Sequence, residues 1–270
     1  MLKPWIRWPL LVVGNTVLAI VVWFLLPQQA EMAVLPAVSP TIVETPSTPI
    51  IEEKIFGYST AGRPITGYVV GSGEQTILLF SAIHANEKGT VTLLNNLVAE
   101  IKATPESVAK NKRLIIIPLL NPDGYYTRRD KLNANRVNLN LNFASNDWRK
   151  YAYGYFAGSV PFSEKESQLI RQVVEEYQPE LMLAFHARGA LVTPEADKAS
   201  IGWAKWYANK TGYQYYTEWN YPGTATKWFM QSTGYPAITI ELTNYQASDW
   251  AINWPALSDL IGEGNITLPD

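Results

Sequence analysis

The chain has 270 residues, 47% of them hydrophobic, and a net charge of −2. Ten Trp and fifteen Tyr with that apolar content argue for a large folded core rather than disorder, and the lack of any Lys/Arg-rich run argues against a nucleic-acid partner. Cysteine is absent, which excludes disulfides and thiolate metal sites, and with only two histidines any metal site must combine His with carboxylates.

Lys3 and Arg7 precede an uncharged run, Pro9 to Leu26, flanked by Trp5, Trp8 and Trp23. The run reaches the ~18 residues a spanning helix needs, and basic residues before it orient the N-terminus inward. Its length, and the lack of a small-x-small pattern at Pro27-Gln-Gln-Ala30, favour an uncleaved signal anchor over a cleaved signal peptide. Residues 1–26 are therefore expected to be a transmembrane helix in the cell membrane, with the rest of the chain extracytoplasmic. Residues 27–50 carry Pro27, Pro36, Pro40, Pro46 and Pro49 and read as an extended linker. The folded domain is expected over 51–270.

Within it, the stretches 53–58 and 65–70 alternate around Gly62-Arg-Pro64 and predict a hairpin. Thr76-Ile-Leu-Leu-Phe80 predicts a buried strand and is followed by Ser81-Ala-Ile-His84-Ala-Asn-Glu87, then a helix from near Lys88. A second buried strand, 113–120, ends at Asn121-Pro-Asp-Gly124, and a polar loop with little periodicity runs from Tyr125 to about Val160. Ser163-Glu-Lys-Glu166 has the capping-box pattern for a helix to about Tyr177. The order continues with a strand at 181–185 ending in His186, a helix near 198–211, a short strand near 213–217 and a helix near 224–233. A buried strand at 237–242 containing Glu241 and a last helix near 255–262 complete it. Strands separated by helices predict an α/β fold with a mixed, mostly parallel, doubly wound sheet and helices on both faces. His84, Asn121, His186 and Glu241 all fall at carboxyl ends of predicted strands, the edge where such sheets bind ligands.

A zinc hydrolase needs three protein ligands, an open position and a base. His84 and Glu87 can point at one spot from one turn, and His186 supplies a third ligand. A carboxylate in the apolar strand of Glu241 is costly unless it is paired or used, and general base is the use that fits.

His84-x-x-Glu87, Asn121-Pro-Asp-Gly124, Asn133-Ala-Asn135, the run from Val137 to Phe143, Phe185-His186, Tyr221-Pro-Gly223 and Glu241 together resemble the zinc carboxypeptidase (carboxypeptidase A-like) superfamily, and within it the bacterial murein peptide amidases. The likeness runs from about Gly57 to about Asn244. It implies a zinc metallocarboxypeptidase or amidase with one zinc ion on His84, Glu87 and His186, Glu241 as base, and Asn140 binding substrate. It also implies an upstream arginine that stabilises the oxyanion, for which Arg129 and Arg128 are candidates. The chain departs from the family at Leu141, where relatives carry the arginine that clamps the substrate carboxylate, and Arg136 or Arg188 is expected to supply that charge instead. The expected substrate is a peptide, specifically the peptidoglycan stem peptide. A deacylase of N-acyl amino acids and a non-catalytic binder of cell-wall peptides are the competing readings.

Overall fold

The computed structural model describes residues 49–127 and 130–262. The predicted anchor and nearly all of the predicted linker lie outside these residues, as do Arg128 and Arg129. Among the described residues no helix is long and apolar enough to cross a membrane.

Among the described residues, ten strands and six α-helices follow one another. The strands are β1 (Ile51–Tyr58), β2 (Pro64–Val70), β3 (Gln75–Ser81), β4 (Lys112–Ile117), β5 (Tyr151–Ala152), β6 (Tyr155–Phe156), β7 (Leu181–Ala187), β8 (Leu191–Pro194), β9 (Gln214–Tyr215) and β10 (Ala237–Leu242). The helices are α1 (Lys88–Ala103), α2 (Pro122–Thr127), α3 (Lys165–Tyr177), α4 (Lys198–Thr211), α5 (Ala225–Thr233) and α6 (Trp250–Ile261). Eight strands form one sheet in the order β1-β2-β4-β3-β7-β10-β8-β9, while β5 and β6 pair as a separate hairpin. The four central strands β4, β3, β7 and β10 are mutually parallel, so their carboxyl ends line one edge. The β1–β2 hairpin joins antiparallel to β4 on one side, and β8 joins antiparallel to β10 on the other.

The central strands are covered on both faces, which is why their sequences are nearly continuous apolar runs. Ile77 and Leu79 of β3 face Leu93, Leu94, Leu97 and Ile101 of α1, a helical stripe, in a core that also takes Tyr207 of α4 and Leu257 of α6. Leu78 and Phe80 face the opposite core, built with Leu169, Ile170 and Val173 of α3 and Phe229 of α5. At ~1.5–3 kcal/mol per fully buried large apolar side chain, these two layers supply most of what orders the strand ends.

Three expectations are corrected. Ser163 and Glu166 do not form a capping box: the N-cap of α3 is Glu164 with no side-chain capping bond. The buried Glu166 carboxylate is instead taken by the Thr60 backbone N–H (2.9 Å) and hydroxyl (3.0 Å), which tie the β1–β2 turn to α3. The last helix begins at Trp250 and holds Pro255 inside it rather than at its start. The stretch from Tyr125 to Val160 contains the end of α2, a 3-10 turn at Leu139–Leu141 and the β5–β6 hairpin.

Candidate metal centre and cavity

β3 ends at Ser81, and the backbone turns at once through Ala82 in the left-handed region. His84 and Glu87 then occupy a single turn whose exit is fixed by Thr90, whose N–H and hydroxyl both donate to the Glu87 carbonyl (3.2 and 2.6 Å). Gly89 packs against the segment after β10, donating its N–H to the Tyr245 carbonyl at 2.7 Å; a Cβ there would sit 2.1 Å from the Ala247 oxygen. His186 comes from β7, and Glu241 stands beside it in register on β10.

The three side chains converge. His84 Nδ1 lies 2.8 Å from Glu87 Oε1, His186 Nδ1 3.2 Å from Glu87 Oε2, and the two Nδ1 atoms 3.3 Å from each other. One ligand atom from each lies within 4.8 Å of the others, and all three residues are buried.

The protonation of His84 decides what this cluster accepts. Its Nε2 faces Asn138 Oδ1 at 3.1 Å and its Nδ1 faces Glu87 Oε1, so hydrogen bonds on both sides require the imidazolium. Burial opposes that charge and lowers the His84 pKa, even against the pull of Glu87. A divalent cation at Nδ1 removes the conflict: Nε2–H donates to Asn138 and Nδ1 presents its lone pair. Glu87 Oε2, buried and without an aligned hydrogen bond, gains a partner too. Burial pushes the Glu87 carboxyl up, but His84 and His186 outweigh burial and hold it at about 2, so it stays an anionic donor. Two imidazoles and one carboxylate suit zinc with a position left open.

Glu241 has the opposite character. Burial pushes its carboxyl up to about 7, against the lowering influence of His186 and Lys131, and its Oε2 is buried without a hydrogen-bond partner. Two carboxylates beside one metal group, held far apart in pKa, divide into a ligand and a proton carrier.

The family comparison agrees with this geometry. The zinc carboxypeptidase family profile matches residues 45–200, more than half of the chain. The chain belongs to the zinc carboxypeptidase family. Murein peptide amidase A of Escherichia coli (strain K12) is 26% identical over 145 residues, covering 48% of this chain and 57% of the relative. Carboxypeptidase B of Astacus astacus is 28% identical over 163 residues, covering 50% of this chain and 54% of the relative. The chain thus spans about half the length of the curated relatives it matches. Two solved structures share the fold. Murein-tripeptide amidase from Escherichia coli O157 has a TM-score of 0.61 at 22% identity, covering 79% of this chain and 92% of that one. Carboxypeptidase A from Helicoverpa armigera has a TM-score of 0.64 at 22% identity, covering 78% and 64%.

In this member of the family, a cavity of about 340 Å³ opens from the metal group. Asn140 lines it, accepting from the Ala225 N–H at 3.2 Å and placing Nδ2 3.5 Å from His186 Nε2. Leu141, 5% exposed, lines the cavity wall. Arg188 also lines the cavity, with its guanidinium 5.7 Å from the Tyr245 ring centre. Arg136 does not: it is exposed, in the left-handed region, on the turn that closes back to Asn133. Asn121 holds the site from behind, donating to the Ile83 and Leu132 carbonyls, while Asn133 and Asn135 donate to Glu164. Asn138, from the Val137–Phe143 run, also faces the site, as does Lys131, which had not stood out in the sequence. Lys131 stands in the same basic stretch as Arg128 and Arg129, and its charge bears on His84, His186 and Glu241.

Proposed function

We propose that the protein is a membrane-anchored, extracytoplasmic zinc-dependent peptidase or amidase that trims peptidoglycan stem peptides. The observation that carries the hydrolase reading is the buried, unpartnered Glu241 carboxylate beside the His84–Glu87–His186 donor set. The likeness to murein peptide amidases supports the substrate class. The charged flanks and the apolar run of residues 9–26 support the anchor.

His84, Glu87 and His186 hold the zinc, which when bound supplies Lewis acidity toward the scissile carbonyl. Glu241, with its carboxyl near 7, takes a proton from the attacking water and returns it to the leaving amine. Lys131 faces the negative charge that develops on the carbonyl oxygen, the role expected of Arg129 or Arg128. Asn140 positions the substrate, and Arg188, which lines the cavity, meets the substrate carboxylate.

Zinc-loaded full-length protein incubated with muropeptides, with products read by mass, tests this reading. Loss of an amino acid or peptide from the stem is expected. If neither muropeptides nor simple peptides are cut, the reading is wrong, and a cell-wall-peptide binder without turnover takes its place.

A further inference from the structure

The segment that brings Lys131 and Asn138 to the metal group has little regular structure of its own. Asn133 closes it into a turn. Its N–H donates to the Val137 carbonyl (3.0 Å), and its Oδ1 accepts from the N–H groups of Asn135 (3.1 Å) and Val137 (3.0 Å). Just outside that turn, Leu132 and Asn138 pair as an isolated antiparallel bridge. Lys131 and Asn138 therefore stand on the two arms of one turn, and both line the cavity. Asn138 Oδ1 meets His84 Nε2 at 3.1 Å and also accepts from the Asn140 N–H at 3.1 Å. One amide oxygen thus joins a metal ligand to the backbone of a cavity residue.

The turn is tied down by a residue outside the cavity lining. Glu164 Oε2 accepts from Asn133 Nδ2 (2.8 Å) and from Asn135 Nδ2 (2.9 Å), while its Oε1 accepts from the Ser163 hydroxyl (2.8 Å). The Glu164 N–H donates to Asn142 Oδ1 at 3.2 Å. The run from Asn133 to Asn142 is pinned at both ends to residue 164. That residue is the N-cap of α3, whose Leu169, Ile170 and Val173 are set in the core, so the anchor itself is rigid. A carboxylate at an N-cap ordinarily accepts from the first N–H groups of its helix. This one, 4% exposed, makes no such bond and gives its acceptors to the turn and to Ser163. Glu166 adds only a longer contact to Asn133 Nδ2, at 3.3 Å, because Thr60 engages its carboxylate.

We infer that Glu164 is a positioning residue: by gathering the Asn133–Asn142 run onto the start of α3, it sets Asn138 against His84 and Lys131 against the reacting carbonyl. The Lys131 half rests on the hydrolase reading above. The Asn138 half concerns zinc alone. Outer partners of a ligating imidazole fix its tautomer and orientation, and losing one weakens metal binding by roughly 10- to 100-fold. A group displaced by about 1 Å from the reacting atoms loses rate on a similar scale.

The test uses the full-length protein and reads two quantities: zinc affinity, by competition with a chromophoric chelator, and kcat per bound zinc on an acylated dipeptide. Both are measured at a temperature where each variant is folded. Val173→Ala is the reference for plain destabilisation, since it loosens the α3 core without touching the turn. Glu164→Ala is expected to weaken zinc binding about 10-fold and to lower kcat per bound zinc about 10- to 100-fold, with Val173→Ala at parental values in both. Glu164→Gln should recover most of both losses, because its carbonyl oxygen can take the two amide donors while its NH2 donates to Ser163. Asn135→Ala, at an exposed position, removes one of the two donors and should show a smaller loss of the same two quantities. Glu164→Ala matching Val173→Ala overturns the inference, as does Glu164→Gln falling as low as the alanine variant. If Glu164→Ala does not fold, Asn135→Ala decides, and parental zinc affinity and kcat there overturn it. If no form cuts any peptide, the hydrolase reading fails, and zinc affinity alone decides the role of Glu164.

Discussion

Replacing Glu241 by glutamine should separate stability from catalysis. The carboxyl sits at about 7 instead of the ordinary 4.5 because burial penalises its ionised form. At about 1.4 kcal/mol per pH unit, that gap is worth ~3 kcal/mol against the folded state once the group is ionised. The replacement amide keeps the shape but leaves a buried polar group without its full partners, which costs about 1–2 kcal/mol. Metal-free Glu241→Gln should therefore be about 1–2 kcal/mol more stable than the unaltered protein at pH 8. The sign follows from the raised folded-state pKa. Below pH 4.5 both states of the unaltered protein hold the proton and the penalty is absent; it grows between 4.5 and 7 and is complete above 7. The advantage of the variant should thus vanish, or reverse, near pH 4.5. Urea denaturation in the presence of chelator, at about pH 8 and again near pH 4.5, reads this directly. The zinc-loaded variant should bind the metal normally, because Glu241 is outside the donor set, and turn over no peptide. A variant less stable than the parent at the higher pH, or a difference that ignores pH, would refute the burial argument. Full activity would remove Glu241 from the proton path.

Three further outcomes are expected. Chelation should lower the melting temperature and zinc should restore it, by about 2.7 kcal/mol at a hundredfold excess over Kd, and His186→Ala should abolish the response in a thermal melt. Lys131→Ala should reduce kcat about 10²- to 10³-fold with zinc content unchanged, and Lys131→Arg should recover part of it; an unchanged kcat would return the oxyanion role to Arg128 or Arg129. Gly223 lies at φ +70, and a Cβ there would meet the Leu141 carbonyl oxygen at 2.3 Å, so Gly223→Ala should cost about 1–3 kcal/mol in urea denaturation and raise KM by displacing the cavity wall.

The parts of the centre that lie on regular elements are legible in one dimension. His186 and Glu241 end runs of buried residues, and an apolar run interrupted by one ionisable group is conspicuous. His84 and Glu87 sit one turn apart next to such a run. The long stretch between α2 and α3 resists the same reading, because its conformation is set by side chains reaching far along the chain. Asn142, for example, is held by the Ala157 and Val160 carbonyls and by Ser163. Charge type therefore points to Arg128, Arg129 and Arg136, whereas packing turns Lys131 to the cavity and Arg136 to solvent. The capping box at Ser163 fails for a related reason: Thr60, far away in the chain, takes the Glu166 carboxylate.

By itself the sequence determined the order of the buried central strands and the helices between them, since buried parallel strands must be continuously apolar; β8 and the β5–β6 hairpin were not among the elements it predicted. It also limited any metal site to two histidines and carboxylates, since the chain has no cysteine. Only the tertiary structure decided which groups share a space. Placing β8 antiparallel against β10 brings Thr193 opposite Thr239 and sets Glu195 along the same cavity floor as Glu241. No periodicity within β8 could have shown this, because pairing between strands depends on the packing of both sheet faces rather than on either strand alone.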